Sequence, residues 1–122
     1  MTQPQTLHFL TDTRSPETGK LDARRTAQTL GLTLRELGQV LGRDPSGLSK
    51  HPSSEGLQPS LRHLDALALH LREVLGSLET GRMWLRAANP VLAGEAPLAY
   101  LLRGDVISIE KLLILAETGM PT

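Results

Sequence analysis

Between Leu61 and Leu78, apolar side chains recur every three or four residues. That spacing places them on one face of an α-helix and predicts a long amphipathic helix, which Gly76 and Gly81 are expected to break near its end. Aromatic residues make up 2% of the chain, and β-branched residues are few. Because few residues could pattern a sheet, we expect an all-α fold. The stripe comprises Leu61, Leu64, Leu67, Ala68, Leu71, Val74, Leu75 and Leu78.

The chain divides into three segments by composition. Residues 1–20 are rich in Gln, Thr, Pro and Ser, and we expect a flexible N-terminal arm that is either mobile or held only through a small apolar cluster of Leu7, Phe9 and Leu10. Residues 21–80 and 81–122 are expected to form two small helical modules, packed against or joined to each other.

Thr33 to Lys50 reads as two short helices joined by a sharp turn. Thr33 and Glu36 have the spacing of a capping box at the start of the first helix. Gly42 tolerates the positive φ that such a turn requires. Asp44 and Pro45 suit the cap and the first position of the second helix.

This segment resembles the helix-turn-helix of the Xre (phage-repressor) class, with Gly38 as the small residue that lets the two helices cross closely. The resemblance implies that the exposed side of the second helix contacts DNA. Capped helix–Gly–helix patterns also occur in bundles that do not bind DNA. The candidate DNA-contact residues are Arg43, Ser46, Ser49, Lys50 and His51.

The stretch from residue 84 to residue 98 has an unusual order of helix-ending and helix-starting residues. Trp84 is the only tryptophan and is expected to anchor a small C-terminal core. Asn89 and Pro90 break the helix, Gly94 permits a tight path, and Pro97 opens the next helix. The final helix is expected to begin after Asp105 and to end at Gly119.

These residues resemble the toxin-binding domain of the Xre/MbcA/ParS class of antitoxins. Many relatives have Gly-Gly where this chain has Ala93-Gly94. The matching residues are Trp84, Leu85, Asn89, Pro90, Leu92, Gly94, Pro97 and Leu98.

The resemblance implies a partner of the RES-domain class, a toxin that depletes NAD and whose active-site cleft is blocked by the antitoxin's C-terminal end. Carried over to this chain, the blocking segment is Glu117, Thr118, Gly119, Met120, Pro121 and Thr122.

Charge and composition narrow the function further. Acidic and basic residues number 13 each, so DNA contact would depend on a local arrangement or on a dimer. We expect no metal site, because His63 and His70 lie too far apart along a helix for i, i+4 chelation. The chain has no cysteine, no phosphate-binding glycine loop and no arrangement that suggests a catalytic triad, so we expect neither an enzyme nor a cofactor.

Two functions are consistent with these patterns. The first is a cytoplasmic, dimeric antitoxin that neutralises its toxin and represses its own operon by binding operator DNA. The alternative is a stand-alone helix-turn-helix regulator whose C-terminal module serves dimerisation. No secretory signal and no apolar run of about 20 residues is evident, so we expect no membrane association.

Overall fold

The computed structural model describes residues 13–119, and within this range the chain is all-helical, which confirms the predicted fold class. Short 3-10 turns at Glu55–Leu57 and Pro90–Leu92 connect some of the helices. The helices are α1 (Ala23–Leu30), α2 (Leu34–Leu41), α3 (Pro45–Lys50), α4 (Gln58–Leu75), α5 (Leu78–Arg86), α6 (Pro97–Leu102) and α7 (Val106–Glu117).

Most predicted helix ends have the expected caps. Asp105 accepts the backbone N–H of Ser108 at 3.1 Å, as expected. The Asp22 carboxylate caps α1 in the same way, by accepting the backbone N–H of Arg25 at 3.0 Å. Asp44 occupies the N-cap position of α3 but makes no side-chain cap bond to the backbone. Its carboxylate instead accepts the hydroxyl of Ser46 at 2.8 Å.

The long central helix ends earlier than the leucine stripe. α4 stops at Leu75, because Gly76 takes a left-handed conformation with φ of 93°. The predicted break at Gly81 is wrong, since Gly81 lies inside α5. A Cβ at Gly81 would approach the Leu71 Cβ to 3.1 Å, so this glycine allows α4 and α5 to pack closely.

One hydrophobic cluster joins the two predicted modules. α4 contacts α1, α5 and α7, and the residue 80 boundary falls inside α5. The largest fully buried side chains come from both sides of this boundary and include Leu37, Leu48, Leu61, Leu64, Leu85, Leu101, Ile109 and Leu113.

Residues 13–20, the last part of the predicted arm, form a turn held against α4. The Thr13 hydroxyl donates to the Asp65 carboxylate at 2.6 Å, and both residues are at least partly buried. An isolated antiparallel bridge joins Arg14 to Leu21. The expected apolar cluster of Leu7, Phe9 and Leu10 lies outside the described residues.

Within residues 13–119, no helix has both the length and the apolar character that spanning a membrane requires.

Candidate functional site

The α2–α3 pair depends on two glycines. Gly38 is buried, and a Cβ there would lie 2.6 Å from the Arg43 carbonyl oxygen and 3.3 Å from Pro45 Cγ. Gly42 ends α2 with φ of 67°. The chain can therefore reverse tightly and bring α3 against α2, as the sequence predicts.

The exposed side of α3 carries the predicted DNA-contact residues. Leu48 is fully buried and holds the helix to the core, whereas Ser46, Ser49, Lys50 and His51 are exposed. Arg43 is also exposed, and its guanidinium donates to the Gly56 carbonyl at 3.3 Å.

The opposite side of α2 is fixed to the C-terminal half of the chain. The Arg86 guanidinium donates to both carboxylate oxygens of Glu36, at 2.7 and 3.2 Å, and to the Gly31 carbonyl at 2.8 Å. The hydrogen bond from Arg86 lowers the pKa of Glu36 below its ordinary value, and the backbone N–H of Thr33 adds to this effect. Glu36 thus takes part in the capping box of α2 and also in the contact with α5. Since α2 is held against the C-terminal half of the chain, α3 is the helix of the pair that faces solvent.

The motif around Trp84 forms the internal frame of a helical corner. Leu85 is fully buried, whereas Trp84 is only half-buried and packs on the edge of the core. Asn89 is buried at the turn. Its side chain accepts the Val91 N–H at 3.0 Å, its carbonyl accepts the Gly94 N–H at 2.9 Å, and its own N–H donates to the Glu95 carbonyl at 3.0 Å.

The residues that follow direct the chain into α6. Gly94 has φ of 89°, and Leu92 is half-buried. Pro97 begins α6, and both Pro97 and Leu98 are buried. These side chains therefore shape the corner and leave little of their own surface for a partner.

The outer side of α7 is a better candidate for a binding surface. Its inner side buries Ile109, Leu112 and Leu113 in the core. Its outer side exposes Ile107, Ile114 and Leu115, with exposed fractions of 69%, 50% and 37%. A surface helix ordinarily has a polar outer side, so the exposed apolar residues make this side of α7 a candidate contact surface.

His70 ties the end of α7 to α4. Its Nδ1 lies 2.5 Å from a Glu110 carboxylate oxygen and its Nε2 lies 3.3 Å from one of Glu117. A neutral imidazole has one N–H, whereas ionised carboxylates only accept, so both contacts are hydrogen bonds only when His70 is protonated. This cluster could not be recognised in the sequence, because Glu110 and Glu117 lie 40 and 47 residues from His70.

Burial by itself lowers the pKa of His70, but the hydrogen bonds that the imidazole donates to Glu110 and Glu117 outweigh it and raise the pKa above the ordinary 6.5. A raised pKa in the folded state means that the stabilisation is fully present below about pH 6.5. It is lost as the pH rises through the folded-state value.

The predicted effect of His70→Gln therefore depends on pH. We expect it to lower the free energy of unfolding by on the order of 1.5 kcal/mol at pH 6, because it removes charge-assisted hydrogen bonds. The deficit shrinks as the pH is raised toward 9, since wild-type His70 then loses its charge. Urea unfolding between pH 6 and pH 9 measures this loss of stability. The control is His63→Gln, because His63 lies on the same helix and is exposed. A deficit that is constant with pH would contradict the assignment.

The described part of the predicted blocking segment lies just beyond this cluster. Glu117 is the last residue of α7, and its side chain is exposed apart from the His70 contact. The Thr118 hydroxyl donates to the Leu115 carbonyl at 3.0 Å, and Gly119 has φ of 86°. Met120, Pro121 and Thr122 lie outside the described residues.

Among residues 13–119, no group of three or more His, Cys, Asp or Glu side chains has the arrangement of a metal site. No buried side-chain nitrogen or oxygen in that range lacks a hydrogen-bond partner. The candidate site is therefore described by its surfaces, namely the exposed side of α3 and the outer side of α7.

Comparison with known proteins adds one structural similarity. No protein-family model matches the chain, and no curated protein matches it in sequence. Its fold is similar to that of a chain in the crystal structure of the M. tuberculosis MbcT-MbcA toxin-antitoxin complex, with a TM-score of 0.63 and 20% sequence identity. The similarity covers 82% of this chain and 94% of that chain, and at this identity it establishes the fold.

Proposed function

We propose that this chain is the antitoxin of a type II toxin–antitoxin pair and acts by binding its toxin, without catalysis or a cofactor. The fold similarity to a chain of a toxin–antitoxin complex supports this role. The residues from Trp84 to Leu98 support it independently, since they resemble a toxin-binding domain. That resemblance implies a RES-domain toxin that depletes NAD, and we place the interaction in the cytoplasm.

The observation that carries the proposal is the outer side of α7. Ile107, Ile114 and Leu115 give a helix that already fills the core a second apolar side. We propose that the toxin covers this side, and that residues 117–122 continue from it across the toxin's active-site cleft. The His70 contacts hold the end of α7 in place, so little conformational entropy is lost at this end of the helix when the toxin binds.

Truncation after Ala116 tests this arrangement. Co-expression of the full chain with the toxin from the neighbouring reading frame is expected to restore growth. The truncated chain should rescue growth more weakly, because it binds the toxin without occupying its cleft. NAD levels in the same cells measure inhibition directly.

Truncation also removes the contact between Glu117 and His70, so the matched control is full-length His70→Gln, which loses the same contact but leaves residues 117–122 unchanged. This variant keeps the tail and should rescue growth. Full rescue by the truncated chain would show that the tail does not block the toxin.

We further propose that the chain represses its own operon by binding operator DNA as a dimer. The exposed side of α3 supports this, since Ser49, Lys50 and His51 face solvent while Leu48 fixes the helix to the core. Two copies related by symmetry would present two such helices to adjacent major grooves. Binding to a duplex from the chain's own promoter, weakening as salt is raised, is the measurement that tests it.

The alternative function is that of a stand-alone regulator whose C-terminal module serves dimerisation. In that case a second copy would cover the outer side of α7. A toxin gene beside this one favours the antitoxin, and a mass measurement of the isolated chain with α7 variants distinguishes the two occupants.

A further inference from the structure

The first turn of α1 lies beside the end of α3. The Ala23 N–H donates to the Pro52 carbonyl at 2.8 Å, and Pro52 follows α3 by two residues. A surface hollow of about 340 Å³ opens at this contact. It is lined by Asp22, Arg24, Arg25, Gln28 and Pro52.

The guanidinium groups of the two arginines of this hollow have no partner among the described residues. Within residues 13–119, neither Arg24 nor Arg25 forms a side-chain hydrogen bond or ion pair. Asp22, the carboxylate beside them, is held at the helix end by the backbone N–H of Arg25. By contrast, Arg86 and Arg103 are paired with carboxylates.

We propose that Arg24 and Arg25 bind phosphates of duplex DNA, so that the DNA-contact surface extends from α3 onto α1. The inference rests on the proposed DNA binding and names further residues for it. Lys50 is the only fully charged cation on the exposed side of α3, and the whole chain is neutral. Additional phosphate contacts are therefore needed to hold a duplex, and guanidinium groups suit phosphate oxygens because they donate two parallel hydrogen bonds.

The side chains that line the hollow indicate what kind of partner would bind there. Phosphate contacts position a protein on a duplex without reading its sequence. The exposed Arg24 and the half-buried Arg25 lie next to a candidate recognition helix, where they could make such contacts. The hollow is shallow and polar, and it contains no exposed large apolar side chain of the kind found on the outer side of α7. A duplex phosphate backbone therefore fits this surface better than a second protein does.

The salt dependence of DNA binding tests the proposal. The probe is a fluorescein-labelled duplex from the chain's own upstream region, followed by anisotropy between low and moderate salt. Each phosphate contact contributes about 0.9 to the slope of log K against log salt. The double variant Arg24→Ala/Arg25→Ala is expected to reduce the slope by roughly 1.8 for each bound protomer, or roughly 3.6 for the proposed dimer, and to weaken binding equally for promoter and random duplexes.

The matched control is Arg103→Ala/Lys111→Ala, which removes the same charge from the α6–α7 side and should leave the slope unchanged. The variant Arg24→Lys/Arg25→Lys should retain most of the wild-type slope, because both positive charges remain.

Three results would overturn the inference. In the first, the wild type binds the duplex while the Arg24→Ala/Arg25→Ala variant and the control variant show the same slope of log K against log salt. In that case the chain binds DNA, but Arg24 and Arg25 do not contact phosphates. If the wild type binds no duplex even at low salt, the proposed DNA binding itself is wrong. If the α1 variant binds DNA normally but loses toxin binding, the arginines belong to the protein interface.

Discussion

Replacing Gly38 with alanine is expected to lower the free energy of unfolding by about 1–3 kcal/mol, the usual cost of overpacking a filled site. The added Cβ would lie 2.6 Å from the Arg43 carbonyl oxygen, and a backbone atom cannot move aside as a flexible side chain can. The ordinary gain of up to about 1 kcal/mol for alanine over glycine in a helix offsets only part of this cost. Urea unfolding of the purified chain measures the difference.

Gly47→Ala is the matched control. Gly47 lies in α3, and a Cβ there would meet no atom within 4 Å. The same substitution should therefore stabilise the chain slightly at residue 47 and destabilise it at residue 38. If both variants gained stability, the close approach of α2 to the following turn would be refuted.

Replacing Ile107 with aspartate is expected to weaken toxin binding by about 100-fold, which corresponds to roughly 2.7 kcal/mol and is typical of a central interface residue. Ile114 lies about two helical turns beyond Ile107 on the same side of α7, and Ile114→Asp should weaken toxin binding in the same way. Ile107 and Ile114 are both at least half exposed, so each change should cost the isolated chain less stability than the same change at a core residue of α7. Titration calorimetry with the toxin measures the loss.

Met83→Asp is the control for this pair. Met83 lies on α5 and is 66% exposed, close to the 69% of Ile107, and the substitution adds the same charge. It should leave toxin binding unchanged. If Ile107→Asp bound the toxin as tightly as Met83→Asp did, the toxin would not contact the outer side of α7.

The helix ends were the most predictable part of the fold. Thr33 and Glu36 form the expected capping box, because each partner lies three residues from the other and little else decides the interaction. Gly42 likewise takes the expected left-handed conformation. The break assigned to Gly81 was wrong, because a glycine that ends a helix and one that admits a neighbouring helix look alike in sequence.

The candidate site was less predictable. The exposed residues of α3 were predicted, because they follow from one helical period around Leu48. The individual residues on the outer side of α7 were not predicted, because Ile107 and Ile114 look like further core residues until the position of α4 is known. Arg24 and Arg25 were also missed, since only folding brings them beside Pro52.

The sequence by itself determined that this chain is all-helical and where most helices begin and end, because those features depend on residues within about four positions of each other. Only the tertiary structure decided which side of α7 remains open and which groups hold its end. The contacts of His70 with Glu110 and Glu117 span 40 and 47 residues, and that of Arg86 with Glu36 spans 50. The spacing of residues along the sequence does not reveal such pairs, because the distance between their side chains depends on how the helices pack.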